Sequence, residues 1–127
     1  MRHLTLEEIL LLHFQVVEGF GGRHGVRDEA RIQSVISAPC QAAFGIEQYP
    51  GTFEKAAVYL HNIINDHPFT DGNKRSGLTV GVVFLMLNNV RLTVSAIELA
   101  DFAVQVAVER LEIPAIAAWL QTHSQAA

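Results

Sequence analysis

The chain lacks several features that would point to particular classes of protein. It has one cysteine, Cys40, which excludes an internal disulfide and a cysteine-rich zinc site. Nine basic against thirteen acidic residues give a net charge of −4, which argues against broad nucleic-acid binding. We expect Cys40 to be a small buried hydrophobic residue rather than a nucleophile.

Long hydrophobic runs are absent as well. The most apolar stretch, residues 78–87, is too short to span a bilayer. The apolar residues 9–12 follow Glu7 and Glu8 and precede no small-residue cleavage site, so no targeting segment is predicted. The sequence has no repeat, linker or low-complexity segment. We therefore expect a single cytoplasmic domain over residues 1–127, in which a hydrophobic content of 50% allows a substantial core.

The spacing of apolar and capping residues predicts an all-α fold. Residues that favour a helix start recur along the chain, at Thr5, Asp28, Thr52, Asn73, Ser95 and Pro114. In the helix after Thr52, the residues at helical spacing that should face the core are Ala56, Leu60, Ile63 and Ile64. The helix from Asn73 to about Asn88 is apolar almost all round. We expect it to be the buried central helix of a compact single-domain helical bundle.

Residues 67–77, between two predicted helices, bring a histidine, a carboxylate, an amide and two cations together in one short segment. The segment reads HPFTDGNKRSG. Pro68 disfavours the α region at His67, so the preceding helix should end there. A histidine titrates near neutrality and can accept a proton from a substrate hydroxyl. Asp71 is an oxygen ligand suited to Mg²⁺, which takes one or two carboxylates and completes its shell with waters and phosphate oxygens.

The second half of this segment has the features of an anion site. Gly72 allows a positive φ and a close approach of the backbone to a ligand. If the next helix begins near Asn73, the amides of its first turn have no intrahelical acceptor and favour an anion. Lys74 and Arg75 add positive charge, and an arginine can bind phosphate oxygens through two parallel hydrogen bonds. A solvated turn would explain each residue singly, whereas the set together indicates phosphoryl or nucleotidyl transfer.

The segment resembles the signature of the Fic/Doc superfamily, H-P-F-x-D/N-G-N-G-R. Lys74 replaces the second glycine, and the resulting N-K-R ending is typical of the Doc (death-on-curing) toxin branch. The similarity extends to residues 1–4, 7–8 and 25–28 and to the tail after Leu92, so it covers nearly the whole chain. It implies the toxin of a toxin-antitoxin pair. By position, His67 would be the catalytic base, Asp71 the Mg²⁺ ligand, and the nucleotide phosphates would be bound by Gly72, Asn73, Lys74 and Arg75.

The resemblance also implies a reaction. Relatives that end in G-N-G-R mostly transfer AMP to a target hydroxyl, whereas the Doc branch is associated with transfer of the terminal phosphate of ATP to a threonine of translation factor EF-Tu. Lys74 adds a charge and fills space beside the helix N-terminus, so the triphosphate is expected to present its γ-phosphorus. The alternatives are an adenylyltransferase and a catalytically silent module that only binds its antitoxin. A His-Asp phosphohydrolase is disfavoured because Asp66 and His67 stand in the reverse order.

Inhibition is expected to come from a partner. Some Fic relatives inhibit themselves through an S/T-x-x-x-E-G/N helix, whose glutamate engages the motif arginine. Residues 14–19 match its Glu-Gly ending, but Phe14 stands where a hydroxyl residue is required, and we expect Phe14 to pack in the core. Doc relatives are restrained by a small antitoxin whose C-terminal segment folds on binding.

Three further features of the sequence are not assigned to the predicted active site. The glycine-rich stretch 19–25 misses the dinucleotide-binding spacing and follows no strand, so it is predicted to be a loop. His61 is expected to be structural or to line a pocket rather than to bind zinc. Arg23 and Arg27 are either solvated charges or contacts to a partner.

Overall fold

The computed structural model describes all 127 residues and confirms the predicted all-α fold. It contains six helices: α1 (Leu6–Phe20), α2 (Glu29–Ser37), α3 (Thr52–Asp66), α4 (Asn73–Leu87), α5 (Ala96–Val108) and α6 (Ile113–Thr122). A short 3-10 turn covers Ala38–Cys40. Two small antiparallel pairs complete the structure, β1 (Ala42–Ala43) with β2 (Ile46–Glu47), and β3 (Val90–Leu92) with β4 (Ser124–Ala126).

The predicted helix starts are mostly confirmed. Thr5 and Ser95 each form a capping box with the glutamate three residues later, and the side chain of Asp28 caps α2. The prediction for Thr52 is wrong, because Gly51 is the N-cap residue and Thr52 is the first residue of α3. Gly51 has an extended backbone and no side chain, so this helix begins without a side-chain cap.

The bundle is built around α3 rather than α4. Residues 55–60 of α3 are all buried, and this helix packs against α2, α4, α5 and α6. By contrast, Met86 and Leu87 of α4 are exposed. The prediction that α4 is the buried central helix is therefore wrong, because α4 is less buried than its apolar sequence indicates. The two helices pack closely because Gly77 faces α3, where an added Cβ would lie 2.9 Å from Cγ1 of Ile64. No helix here combines the length and apolarity that a membrane crossing requires.

The segment between α2 and α3 is attached to the core by a buried lysine. Lys55 is 2% exposed, and its Nζ donates to the carbonyl of Pro39 at 2.7 Å and to Oε1 of Glu47 at 3.2 Å. These bonds connect α3 to the 3-10 turn and to the β1–β2 hairpin. The expectation that Cys40 is buried is wrong, because Pro39 occupies the core side of the turn and Cys40 is exposed.

Candidate active site

All of the site residues predicted from the sequence line one cleft. The cleft has a volume of about 440 Å³ and lies between the turn after α3, the start of α4 and one face of α5. From the motif it takes His67, Asp71, Gly72, Asn73, Lys74 and Arg75. The facing wall on α5 consists of the small apolar side chains Ala100, Ala103 and Val104. The structure therefore joins a polar, partly cationic surface to an apolar one.

His67 lies at the end of α3, where the chain turns away from the helix. It has φ 48° and ψ 58°, so it leaves the right-handed α region as predicted, into the left-handed region. That conformation costs a non-glycine residue about 1–2 kcal/mol. The imidazole is exposed, and its Nδ1 lies 3.4 Å from Nδ2 of Asn73. The candidate base therefore projects into the cleft from a strained position.

Asn73 closes the turn with its side chain. It is 8% exposed, its Oδ1 accepts a bond from the Phe69 amide at 3.0 Å, and its Nδ2 donates to the Phe69 carbonyl at 3.0 Å. Both polar atoms of the carboxamide are thereby used within the turn. The part of Asn73 that is left for a phosphate is its backbone amide, in the first turn of α4.

The N-terminus of α4 has the geometry of an anion site. Gly72 is the N-cap residue with φ 74°, which confirms the predicted positive φ, and no side chain caps the helix. The amides of residues 73–75 therefore keep their donor capacity for a ligand. Lys74 and Arg75 are both exposed beside them. Partial and full positive charges converge on the mouth of the cleft.

Asp71 is an exposed carboxylate that two backbone amides orient. Its Oδ2 accepts from the Arg23 amide at 3.1 Å and its Oδ1 from the Gly72 amide at 2.9 Å. These hydrogen bonds hold the pKa of Asp71 below 3.8, so the group is ionised near neutral pH. Gly22 packs directly against it, since an added Cβ there would lie 2.8 Å from Oδ2.

The donor set fits a metal ion that arrives with a nucleotide. No group of three histidine, cysteine, aspartate or glutamate side chains is arranged to hold an ion. Mg²⁺ needs only one or two carboxylates when phosphate oxygens and waters fill the other positions. Asp71 supplies one ionised carboxylate at the edge of the anion site, and each of its oxygens has lone pairs beyond the one amide that it accepts.

The glycine-rich loop before α2 lies alongside the motif turn. The prediction of a loop is confirmed for residues 21–25, whereas Gly19 and Phe20 belong to α1. The contacts of the loop could not be predicted from its composition. The amide of Arg27 donates to the Pro68 carbonyl at 2.7 Å, and the amide of Thr70 donates to the Gly25 carbonyl at 2.9 Å. A single antiparallel bridge joins Val26 to Phe69 between these bonds. The contacts of Arg27 are thus made within the chain.

His13 supports the turn from beneath and was missed by the sequence reasoning. It is 4% exposed, its Nε2 lies 2.8 Å from the carbonyl oxygen of Asp71, and its ring stacks on Phe69 with 3.8 Å between centroids. Burial lowers the pKa of His13 from 6.5, so the neutral form predominates at pH 7. The fold consequently loses stability as the pH falls below 6.5. A histidine on an inward helix face gives no sequence signal of this role.

The arginine of the motif is placed by an aromatic side chain. The guanidinium carbon of Arg75 lies 4.4 Å from the ring centroid of Phe20, the last residue of α1.

Glu18, the glutamate of the partial match to the inhibitory helix, forms an ion pair with His24 at 2.9 Å. The expectation that Phe14 packs in the core is wrong, because it is 51% exposed and stacks on the His24 ring. The ion pair of Glu18 is thus made with His24 and not with Arg75.

A second, larger cleft lies near the start of α3. It has a volume of about 910 Å³ and is bordered by α3, α6 and the segment before α3. His61 lines it, as predicted, and its Nδ1 lies 2.9 Å from Oδ1 of Asn62. The charged residues of this cleft are Glu54 and Glu112. None of the predicted site residues reaches it.

The chain is an all-α bundle in which a turn with His67 and Asp71 leads into a helix start that no side chain caps. Residues 3–85 match the Fic/DOC family model. The chain is 34% identical over 117 residues to the protein kinase Doc of Escherichia phage P1, covering 92% of this chain and 91% of that protein. It is 32% identical over 116 residues to the toxin Doc of Mycolicibacterium smegmatis, covering 85% of each. The chain belongs to the Fic/DOC family.

Proposed function

We propose that this chain is the toxin of a toxin-antitoxin pair and acts as a protein kinase on a threonine or serine of its target. The observation that carries the proposal is the convergence of His67, Asp71, Lys74 and Arg75 with the α4 N-terminus on one cleft. Similarity over most of the chain to proteins named protein kinase Doc and toxin Doc supports the same reading.

The proposed reaction uses ATP as the phosphate donor. A hydroxyl oxygen of the target forms a bond to the γ-phosphorus, the bond from that phosphorus to the β-γ bridging oxygen breaks, and ADP leaves. The hydroxyl proton passes to the imidazole of His67, which is exposed in the cleft. The first-turn amides of α4, with Lys74 and Arg75, hold the phosphate oxygens and stabilise their charge.

Asp71 would hold Mg²⁺ against the phosphates of the bound nucleotide. The ion would neutralise phosphate charge when bound. The two amides that bind Asp71 keep it ionised and fix its direction, which is what a one-carboxylate site requires. Binding of the metal and the nucleotide should accordingly depend on each other.

Lys74 is the residue on which the choice of phosphate depends. It is exposed at the second position of α4 and lines the cleft beside Arg75. A lysine side chain adds a full charge where a glycine would add none, so it favours a triphosphate placed with its terminal phosphate toward the helix start. This placement offers the γ-phosphorus, rather than the α-phosphorus, to the hydroxyl.

The proposed partners are the antitoxin and a protein substrate. The substrate is proposed to be translation factor EF-Tu in the cytoplasm, so that its phosphorylation halts protein synthesis. Because Glu18 is paired with His24 and leaves Arg75 free of an internal carboxylate, restraint is proposed to come from an antitoxin segment that folds on binding.

Labelled ATP tests this function. The purified chain is added to a translation extract with ATP labelled at the γ or the α phosphate, and the His67→Ala chain serves as the control. Label from the γ position on one protein, with arrest of translation, is the expected result. Incorporation of the α label would make the chain an adenylyltransferase. Incorporation of neither, by a folded chain, would leave a module that only binds its antitoxin.

A further inference from the structure

Arg27 hydrogen-bonds to the carbonyls of three consecutive residues at the end of α3. Its Nη2 donates to Asp66 at 3.1 Å, its Nε donates to His67 at 2.8 Å, and its backbone amide donates to Pro68 at 2.7 Å. These carbonyls lie on both sides of the imidazole-bearing Cα. One arginine therefore fixes the stretch of backbone from which the imidazole projects.

The conformation of His67 requires such support from outside the helix. Its left-handed φ of 48° is unfavourable for a residue with a side chain. Pro68 has no N–H, so the next residue cannot cap the helix by the usual backbone bond. A cation close to the last carbonyls of a helix is favourable, and Arg27 places its guanidinium there.

The backbone of Arg27 is itself held in place. The bridge between Val26 and Phe69 and the bond from the Thr70 amide to the Gly25 carbonyl fix the register of its loop against the turn. The guanidinium consequently reaches the end of α3 from a fixed origin. Arg27 does not line the cleft, so it is not placed to contact the nucleotide.

We infer that Arg27 is a positioning residue for His67, an inference whose kinetic consequence rests on the proposed kinase function. Arg27 sets the direction of the imidazole through the backbone carbonyls and touches no reacting atom. Losing it should misplace the base and leave the phosphate site intact. The effect should therefore fall on kcat rather than on KM for ATP.

The chain provides a matched control in Arg31. Its Nη1 also donates to the Asp66 carbonyl, and its Nε pairs with Asp28 at 3.4 Å, but it makes no bond to His67 or Pro68. Both arginines place a cation at the same helix end. Only Arg27 bonds to the histidine itself, so comparing the two separates positioning from general support of α3.

The kinetic test compares Arg27→Ala, Arg27→Lys and Arg31→Ala in phosphate transfer to the target. Arg27→Ala should lower kcat about 10²-fold, the loss expected for a displaced catalytic group, with KM for ATP changed less than about twofold. Arg27→Lys should fall between, because a lysine lacks the planar fork that spans two carbonyls. Arg31→Ala should stay within about twofold of the parent. Equal losses in both alanine variants, or a change in KM alone, would overturn the inference.

Histidine-labelled NMR supplies a readout that needs no activity. The Cα and ring shifts of His67 should move in Arg27→Ala and stay in place in Arg31→Ala; Arg27→Lys replaces the alanine variant if the latter does not fold. Unmoved His67 signals in a folded Arg27 variant would overturn the inference, whatever the chain phosphorylates. Moved signals in a chain whose parent transfers no phosphate would support the inference and overturn the proposed function instead.

Discussion

The two clefts near opposite ends of α3 differ more in chemistry than in size. The larger, about 910 Å³, carries Glu54 and Glu112 and no lysine or arginine. The smaller, about 440 Å³, combines a histidine, an ionised carboxylate and two cations with an uncapped helix start. Volume alone would select the larger cleft, whereas convergent groups with complementary roles select the smaller one.

The backbone conformation also distinguishes the smaller cleft from the larger one. At the larger cleft the N-cap residue of α3, Gly51, has an ordinary extended backbone. At the smaller cleft two residues of the connection between α3 and α4, His67 and Gly72, adopt the left-handed conformation. Contacts from α1 and the glycine-rich loop, through His13 and Arg27, hold that turn. Strain that the surroundings maintain is typical of functional sites, so the backbone evidence agrees with the side-chain evidence.

Removing the base should have the largest effect. His67→Ala should lower phosphate transfer about 10²–10⁴-fold, because the hydroxyl would lose its proton acceptor. The measurement is the rate of transfer to the target at saturating ATP. His67→Asn is a useful second variant, since asparagine tolerates the left-handed conformation. Parent-like transfer by a folded variant would remove His67 from the mechanism and break the contrast between the clefts.

Removing the carboxylate should have the next largest effect. Asp71→Asn keeps the shape but not the charge, and should weaken Mg²⁺-dependent transfer at least about 10–100-fold, the range seen when even outer contacts of a metal are lost. Transfer is measured against Mg²⁺ concentration. Because the pKa of Asp71 is held below 3.8, any loss of parent activity between pH 7 and pH 5 should persist in this variant. Full activity in a chelator would contradict the metal role.

A smaller effect is expected from the aromatic ring under Arg75. The guanidinium carbon of Arg75 lies over the Phe20 ring, and the five N–H donors of an arginine allow it to bind phosphate as well. Phe20→Leu should therefore raise KM for ATP about two- to fivefold, from an exposed cation-π contact of about 0.5–1 kcal/mol. Phe20→Tyr, which keeps the ring, is the control. A lower KM in the leucine variant would mean that Phe20 competes with the phosphate for Arg75.

The smallest effect should come from the larger cleft. Ala118→Arg places a long cation in it and should change transfer by less than about twofold, as for most surface substitutions. The matched change, Ala100→Arg, fills the smaller cleft and should raise KM for ATP. Steady-state kinetics of the two variants compare the clefts directly. The reverse order of effects would place the nucleotide in the larger cleft.

Whether a feature could be predicted from the sequence depends on how far apart the interacting residues lie along the chain. His67 to Arg75 lie in one continuous run, so their types and spacing suffice to indicate a site. His13 acts on Asp71 from 58 residues away and Arg27 on His67 from 40, and such partners are fixed only when the helices pack. The sequence could therefore indicate the residues that line the candidate site, but not the contacts that support them.

Predictions about the fold are limited in the same way, because only local interactions can be inferred from the sequence. Capping boxes at Thr5 and Ser95 depend on residues three apart, and the predictions based on them are confirmed. The burial of Cys40 and Phe14 was predicted from residue type alone and is wrong, because neither residue type nor helical spacing identifies which side of an element faces its neighbours.

The structure of the His67→Ala chain with Mg²⁺ and ATP, in which slow turnover preserves the nucleotide, tests the proposed site most directly. We expect the triphosphate at the α4 N-terminus, the metal bound by Asp71, and the γ-phosphorus nearest to the position of the missing imidazole. A nucleotide in the larger cleft, or one whose α-phosphorus faces residue 67, would contradict it.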